Sequence, residues 1–228
     1  VGVARTLTGV IFPIGLMMLV VTGGELFTGN CMLTMALADH KIKALQMIKN
    51  WVVVYFSNML GAILTAACVY ASGQYDYSDG ALGAFTIKVA MGKADIDISK
   101  AIFSGILCNI LVCIAVWAAF AAKKVSGKLL MSFWPVMLFV LCGFEHSIAD
   151  IYFGVSGLLT MEKYGISAPE LTTAAFLLKN LLPVTLGNIV GGAGIVGCGY
   201  WAVYLRHTPG FAEPIEAEQE EIDGAEEY

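Results

Sequence analysis

Three histidines occur in the 228 residues, and one of them, His146, falls inside a stretch apolar enough for membrane depth. His40 and His207 stand at the ends of such stretches. An imidazole changes charge near neutral pH, so His146 could attract an anion or supply a proton to one. The plainer alternative is a hydrogen-bonded core histidine. Its setting favours chemistry: Gly143-Phe144-Glu145-His146 interrupts the apolar run from Leu129 to Met161. A second run, Leu7 to Leu37, is interrupted by Gly23-Gly24-Glu25 and Thr28-Gly29-Asn30. The Thr28 hydroxyl could cap the half-helix that follows or hydrogen-bond His146. The half-helices that begin at these breaks would offer free N–H groups and positive dipole ends, which suit anions. Asn109 and Asn188 are amides within other apolar runs. They could tie helices together or donate to a passing anion. Glu25 and Glu145 sit awkwardly in an anion path, and a structural role, accepting hydrogen bonds from the backbone of each break, suits them better.

Other chemistries find no support. The sequence has no nucleotide-binding glycine loop, nucleophile elbow or metal-spaced His/Cys set, so neither an enzyme nor a cofactor is expected. Gly191-Gly192-Ala193-Gly194 lies within an apolar span, where close packing explains it. The six cysteines, at 31, 68, 108, 113, 142 and 198, read as small buried packing residues.

The elements that position these residues must be membrane spans. Hydrophobic residues make up 58% of the chain and charged ones 14%, against about 25% charge in soluble domains. The bilayer is the natural solvent for such a chain. The net charge of −5 is set by its end: the last 22 residues, from His207, hold eight acids and no Lys or Arg, which leaves a mildly basic body. Residues 1–206 therefore read as one channel domain and 207–228 as an acidic, disordered tail. Beyond the two broken runs, the spans are Trp51 to Ala71, Ala101 to Ala122 and about Leu181 to Leu205. Short helices are predicted near Ala84 to Met91 and Pro169 to Lys179. Ionisable residues at membrane depth are expensive and mark function.

The two broken runs match. Each Glu in a break is followed, in the next span, by Asn-x-x-Gly: Asn58-Met59-Leu60-Gly61 after Glu25, and Asn188-Ile189-Val190-Gly191 after Glu145. This is the pattern of an internal repeat, with the site at its midplane. The second half has a complete helix before its broken one and the first half has none. Together with Val1 in place of Met, this leads us to expect a further span upstream in a longer gene product. The loops Asp39–Lys49 and Lys123–Lys128 carry three lysines each, which predicts that they, and the tail after Arg206, are cytoplasmic.

Gly23-Gly24-Glu25-Leu26-Phe27-Thr28-Gly29-Asn30, Gly105-Ile106-Leu107-Cys108-Asn109, Gly143 through Asp150, and Asn180 through Gly192 together resemble signature segments of the formate/nitrite transporter family. The resemblance covers Val1 to about Arg206. It implies an all-α polytopic membrane protein with an aquaporin-like inverted repeat and two broken helices, six spans in the family and about five here. It also implies a homopentamer in the cell membrane with one pore per protomer. The implied cargo is a small monovalent anion (formate, nitrite or hydrosulfide), moved with protons. The partners are then that anion, protons, lipid and other copies of the chain, not nucleic acid.

Carried over by motif, His146 and Thr28 would be the central polar pair, and Asn109 and Asn188 polar pore residues. Phe12, Leu16, Leu26, Phe27, Val112 and Phe139 would form hydrophobic constrictions, although nothing in their spacing marks a gate. Lys93 would be a lysine of the outer vestibule. Asp150 departs from the pattern, standing where Asn is expected, and adds an acid one turn from His146. The formate-type motifs favour formate. The alternatives are another anion of the family, an aquaporin-like pore for neutral solutes, or a scaffold that transports nothing.

Overall fold

The computed structural model describes residues 2–206; the acidic tail, and with it the expectation of disorder there, lies outside the described residues. The described chain is helical, with no strand. Five helices are long and apolar enough to cross a membrane. In a bilayer this is the only open-chain solution, since each backbone N–H and C=O must be satisfied within its own segment.

The first broken run folds as α1 (Gly2–Ile11) and α2 (Ile14–Thr22), which Pro13 separates by a kink. The short helices α3 (Phe27–Asn30) and α4 (Leu33–Ala38) follow the break. Next come α5 (Ala44–Ala71), α6 (Ala81–Ala94) and α7 (Ile98–Ala121). The second broken run is α8 (Val125–Cys142) and α9 (Ser147–Tyr164). The last helix of the described residues is α10 (Thr173–Leu205), 33 residues long.

The predicted short helix near Pro169–Lys179 is not separate: it is the first part of α10. Pro183 should stop a regular helix, because it lacks an N–H and its ring clashes with the preceding turn. Wider π-type turns at Phe176–Leu181, just before the proline, absorb that conflict. At 1.5 Å per residue α10 is roughly 50 Å long, more than a 30 Å hydrocarbon layer needs, so it crosses tilted or extends past the layer. One of its faces, Leu178, Leu182, Leu186 and Val190 at four-residue spacing, is exposed. The opposite face carries Gly187 and Gly191 and packs on α7.

That packing is close. A side chain at Gly105 of α7 would come within 2.7 Å of the Val184 carbonyl oxygen. Small residues let membrane helices approach to backbone distance, where dispersion and polar contacts replace the missing hydrophobic drive. Gly105→Val is therefore expected to push α7 from α10 and to cost about 1–3 kcal/mol, as overpacking does. The check is a lowered midpoint of thermal unfolding in detergent; an unchanged midpoint would contradict the tight α7–α10 seam.

Three of the six cysteines, Cys31, Cys108 and Cys113, are buried as expected; Cys68, Cys142 and Cys198 are instead exposed on the outer faces of their helices. An apolar surface residue suffices there, and the lipid-facing role of a thiol is indistinguishable from its packing role in sequence.

Candidate functional site

The two breaks are built alike. Gly23 ends α2 at φ 73°, ψ 24°, and Gly143 ends α8 at φ 74°, ψ 35°. Both are left-handed, the conformation that glycine adopts without a steric penalty. The chain then turns extended at Leu26 (φ −121°, ψ 127°) and at His146 (φ −119°, ψ 112°), and a new helix starts at the next residue. Leu26 and His146 are thus the same position in the two halves.

The asparagines of the two Asn-x-x-Gly motifs close the breaks in the same way. The Phe27 N–H donates to Asn58 Oδ1 at 2.9 Å, and Asn58 Nδ2 donates to the Glu25 carbonyl at 3.0 Å. In the other half the Ser147 N–H donates to Asn188 Oδ1 at 3.0 Å, and Asn188 Nδ2 donates to the Glu145 carbonyl at 3.2 Å. Each amide matches a donor and an acceptor that a broken helix would otherwise leave unpaired in a medium without water.

Two sequence expectations change here. The first N–H of each half-helix, at Phe27 and at Ser147, is already taken by an asparagine, so neither is free for an anion. Asn109 and Asn188 are also committed: Asn109 Nδ2 donates to the carbonyls of Thr28 (3.1 Å) and Asn188 (2.6 Å), and Asn188 Nδ2 also donates to Gly105 (2.8 Å). Both side chains are fully buried, and neither is among the residues lining the cavity at His146. They tie helices together.

His146 and Thr28 meet as the repeat suggested, with His146 Nε2 3.0 Å from Thr28 Oγ. The other ring nitrogen, Nδ1, accepts the Ala149 N–H at 3.2 Å and so caps α9. A ring that accepts at Nδ1 carries its proton on Nε2, so Nε2–H donates to Thr28. Thr28 thus orients the imidazole and caps nothing.

A cavity of about 340 Å³ opens on His146, lined by Phe12, Leu16, Leu26, Val112 and Phe139. Five of the six residues expected at constrictions are therefore together around the imidazole. The Phe12 and Phe139 rings meet edge to face at 5.7 Å, and Phe139 lies parallel to the His146 ring at 6.0 Å. Gly15, Leu19 and Val136 complete much of the wall, and sequence offered no mark for them. Phe27 is the exception. Its ring packs against Trp51 (6.2 Å) and Tyr55 (4.9 Å), away from the cavity. The extended backbone at Leu26 sends adjacent side chains to opposite sides, so Leu26 and Phe27 cannot both face the imidazole.

A second cavity, about 710 Å³, shares Leu19 and Leu26 with the first. It continues past Val116 and Trp117 to Phe120, Asp39, Lys41 and Leu205. The ends of α4, α7 and α10 therefore meet on one side, with the Lys41 loop. Glu25 borders this cavity. Its carboxylate accepts from the side chains of Asn30 (2.7 Å) and Asn50 (3.1 Å), rather than from the break's backbone as expected.

Lys93 is not in a vestibule. It ends α6, which runs antiparallel beside α9, and its ammonium bridges Glu145 at 2.6 Å and Asp150 at 2.5 Å. It also lies 5.3 Å from the centre of the Phe153 ring. The Asp150 side chain is 1% exposed, so this extra acid is buried rather than facing water. Glu145 also accepts from Asn180 Nδ2 at 3.4 Å, and its own N–H donates to Ser104 Oγ at 3.0 Å. The cluster pins the residue before His146 to one four residues beyond it. Asp150 and Ser104 support the site, a part that sequence reasoning did not assign to either. Asp150 was visible only as a departure, and Ser104 carried no signal.

Broken helices meeting inside a membrane bundle, with two neighbouring cavities that share Leu19 and Leu26 and an imidazole lining the smaller one, define a protein that passes small solutes through its own fold. The family is equally plain in sequence. Residues 1–202 match the family model described as Formate/nitrite transporter, and the chain belongs to that family.

Among its relatives is the formate channel FocA of Escherichia coli (strain K12), 37% identical over 218 residues, covering 91% of this chain and 76% of that one. The formate channel BtFdhC of Bacillus thuringiensis is 38% identical over 203 residues, covering 89% and 74%. A solved structure described as a pentameric formate channel with formate bound superimposes with a TM-score of 0.77. It has 35% identity and covers 90% of this chain and 84% of that one.

Proposed function

We propose that this chain is a formate channel in which permeation is linked to protons, with one pore in each of five identical subunits. The observation that carries this reading is the single imidazole in an otherwise apolar cavity, at the centre of a fold shared with formate channels. A bare monovalent anion is costly in such a cavity. A doubly protonated His146 would supply its countercharge. Transfer of one proton from the ring to formate leaves neutral formic acid and neutral imidazole, which the apolar walls accept. The acid then loses the proton on the other side. In the resting geometry Nδ1 accepts the Ala149 N–H, so double protonation breaks that cap, and the proton enters with the anion rather than residing on the ring.

The positive-inside rule puts the Lys41 side in the cytoplasm, with the C-terminal tail. Lipid covers the exposed apolar faces not used between subunits. Hydrosulfide and nitrite are also small monovalent anions, and the cavity wall offers no donor that would tell them apart.

The test is a flux panel in proteoliposomes, with formate, nitrite, hydrosulfide and glycerol each driven by its own gradient. Formate flux that rises as pH falls and carries protons with it, without net current, is the expected result. Glycerol flux without formate flux would establish a neutral-solute pore instead, and no flux of any solute would leave a scaffold.

A further inference from the structure

The two glycine-ended breaks differ in one respect. At Gly23 the space that a side chain would occupy is open. At Gly143 it is filled by the guanidinium of Arg5. Arg5 reaches that point because α1 runs antiparallel to α8. Phe12 meets Phe139 at the cavity, Gly9 packs on Leu141 so closely that an added Cβ would lie 3.1 Å from its side chain, and Arg5 ends over Gly143. Seven residues before Phe12 on the same helix, Arg5 stands roughly 10 Å further from the cavity, on the side away from Lys41, and on the helix face that carries Phe12.

The end of α8 is an unfavourable neighbour for an anion. The last carbonyls of a helix lack intrahelical partners and carry a partial negative charge. Lys93, the cation that the sequence suggested for this mouth, is committed to Glu145 and Asp150. Among the described residues no carboxylate pairs with Arg5, and the residue is exposed. A guanidinium stays charged at every physiological pH and is more weakly hydrated than an ammonium. It can therefore hold a small carboxylate loosely and release it.

We propose that Arg5 is the anion-collecting residue of the mouth opposite Lys41, where it offsets the negative end of α8 and concentrates a small monovalent anion above the Phe12–Phe139 pair. This rests on the channel reading above. Through-space attraction of this kind raises the local anion concentration and fades with salt.

The experiment compares wild type, Arg5→Gln and Arg5→Lys in proteoliposomes, with formate applied to the Arg5 side and an impermeant salt setting the ionic strength. At about 10 mM, where charges act over about 30 Å, Arg5→Gln is expected to lose roughly tenfold in formate influx. At about 1 M, where the screening length is about 3 Å, it converges with wild type. Arg5→Lys stays near wild type at both.

Equal flux of Arg5→Gln and wild type at low salt overturns the proposal. So does a loss in Arg5→Gln that is the same at both salts, since that marks Arg5 as a structural cap of α8. A lowered unfolding midpoint in Arg5→Gln would accompany that second outcome. Wild type that carries no formate at any salt instead refutes the channel reading, on which the proposal depends.

Discussion

His146→Phe, reconstituted into proteoliposomes, is expected to lose formate uptake that responds to pH. Phenylalanine nearly preserves the shape of the ring against Phe139 but removes both nitrogens. The cavity then holds no group that can give a proton to the anion, and no polar atom to meet it. The carboxylate must cross an apolar chamber as a bare charge, and burying an unpaired charge in such a place costs many kcal/mol. What remains is either no flux or a small leak indifferent to pH.

The change also has structural costs. The cap on the Ala149 N–H is lost, about 1 kcal/mol, and Thr28 loses its buried partner, about 1–3 kcal/mol. A paired variant, His146→Phe with Thr28→Val, removes the orphaned hydroxyl and separates folding from transport. Uptake by a well-folded His146→Phe protein with the wild-type pH profile would sink the proton step.

Lys93→Met is expected to be the most damaging single change for stability. It leaves Glu145 and Asp150 in a buried cluster that has lost the cation paired with both of them. Asp150 Oδ2 already lacks a hydrogen-bond partner among the described residues. Breaking a buried ion pair by removing one partner costs about 3–5 kcal/mol, because the remaining charge is desolvated and uncompensated. Here two carboxylates are left. Little folded protein should be recovered from detergent extracts, and what is recovered should unfold at a lower temperature. The triple variant Lys93→Met, Glu145→Gln, Asp150→Asn removes all three charges together and should recover much of the loss, since replacing a whole buried ion cluster is often near neutral. Failure of the triple variant to recover would mean that the ammonium does something beyond balancing these acids.

Much of this was readable before any coordinates. Apolar length placed the spans, and glycine–glutamate interruptions placed the breaks. The Asn-x-x-Gly motifs singled out Asn58 and Asn188, which turned out to clamp the breaks. What sequence hid depends on geometry that only the assembled chain sets. Lys93 is 52 residues from Glu145 and lies in a polar stretch that reads as an outer loop, and only the course of α6 beside α9 takes it inward. Leu26 and Phe27 look interchangeable as apolar neighbours, and the extended turn at Leu26 sends one to the cavity and the other to Trp51. Pro183 reads as a helix stop, whereas the wider turns before it let α10 run on. The pairing of Asn109 with Thr28 and Asn188 spans about 80 positions, and a local pattern holds no information about it.

The equivalence of Leu26 and His146 has a further consequence. A duplicated segment would inherit identical bends, identical clamps and the same inward-facing position on both sides of the midline. Had both copies kept a titratable ring there, the chamber would hold two proton sites within touching distance, and each would oppose charging of the other. With leucine on one side, the ancestral symmetry survives in the scaffold and is abandoned in the chemistry. On the proton-linked reading proposed above, passage then takes one proton for one occupant. A two-fold architecture thus carries out a one-fold task, and the residue that makes this possible is the unreactive member of the pair.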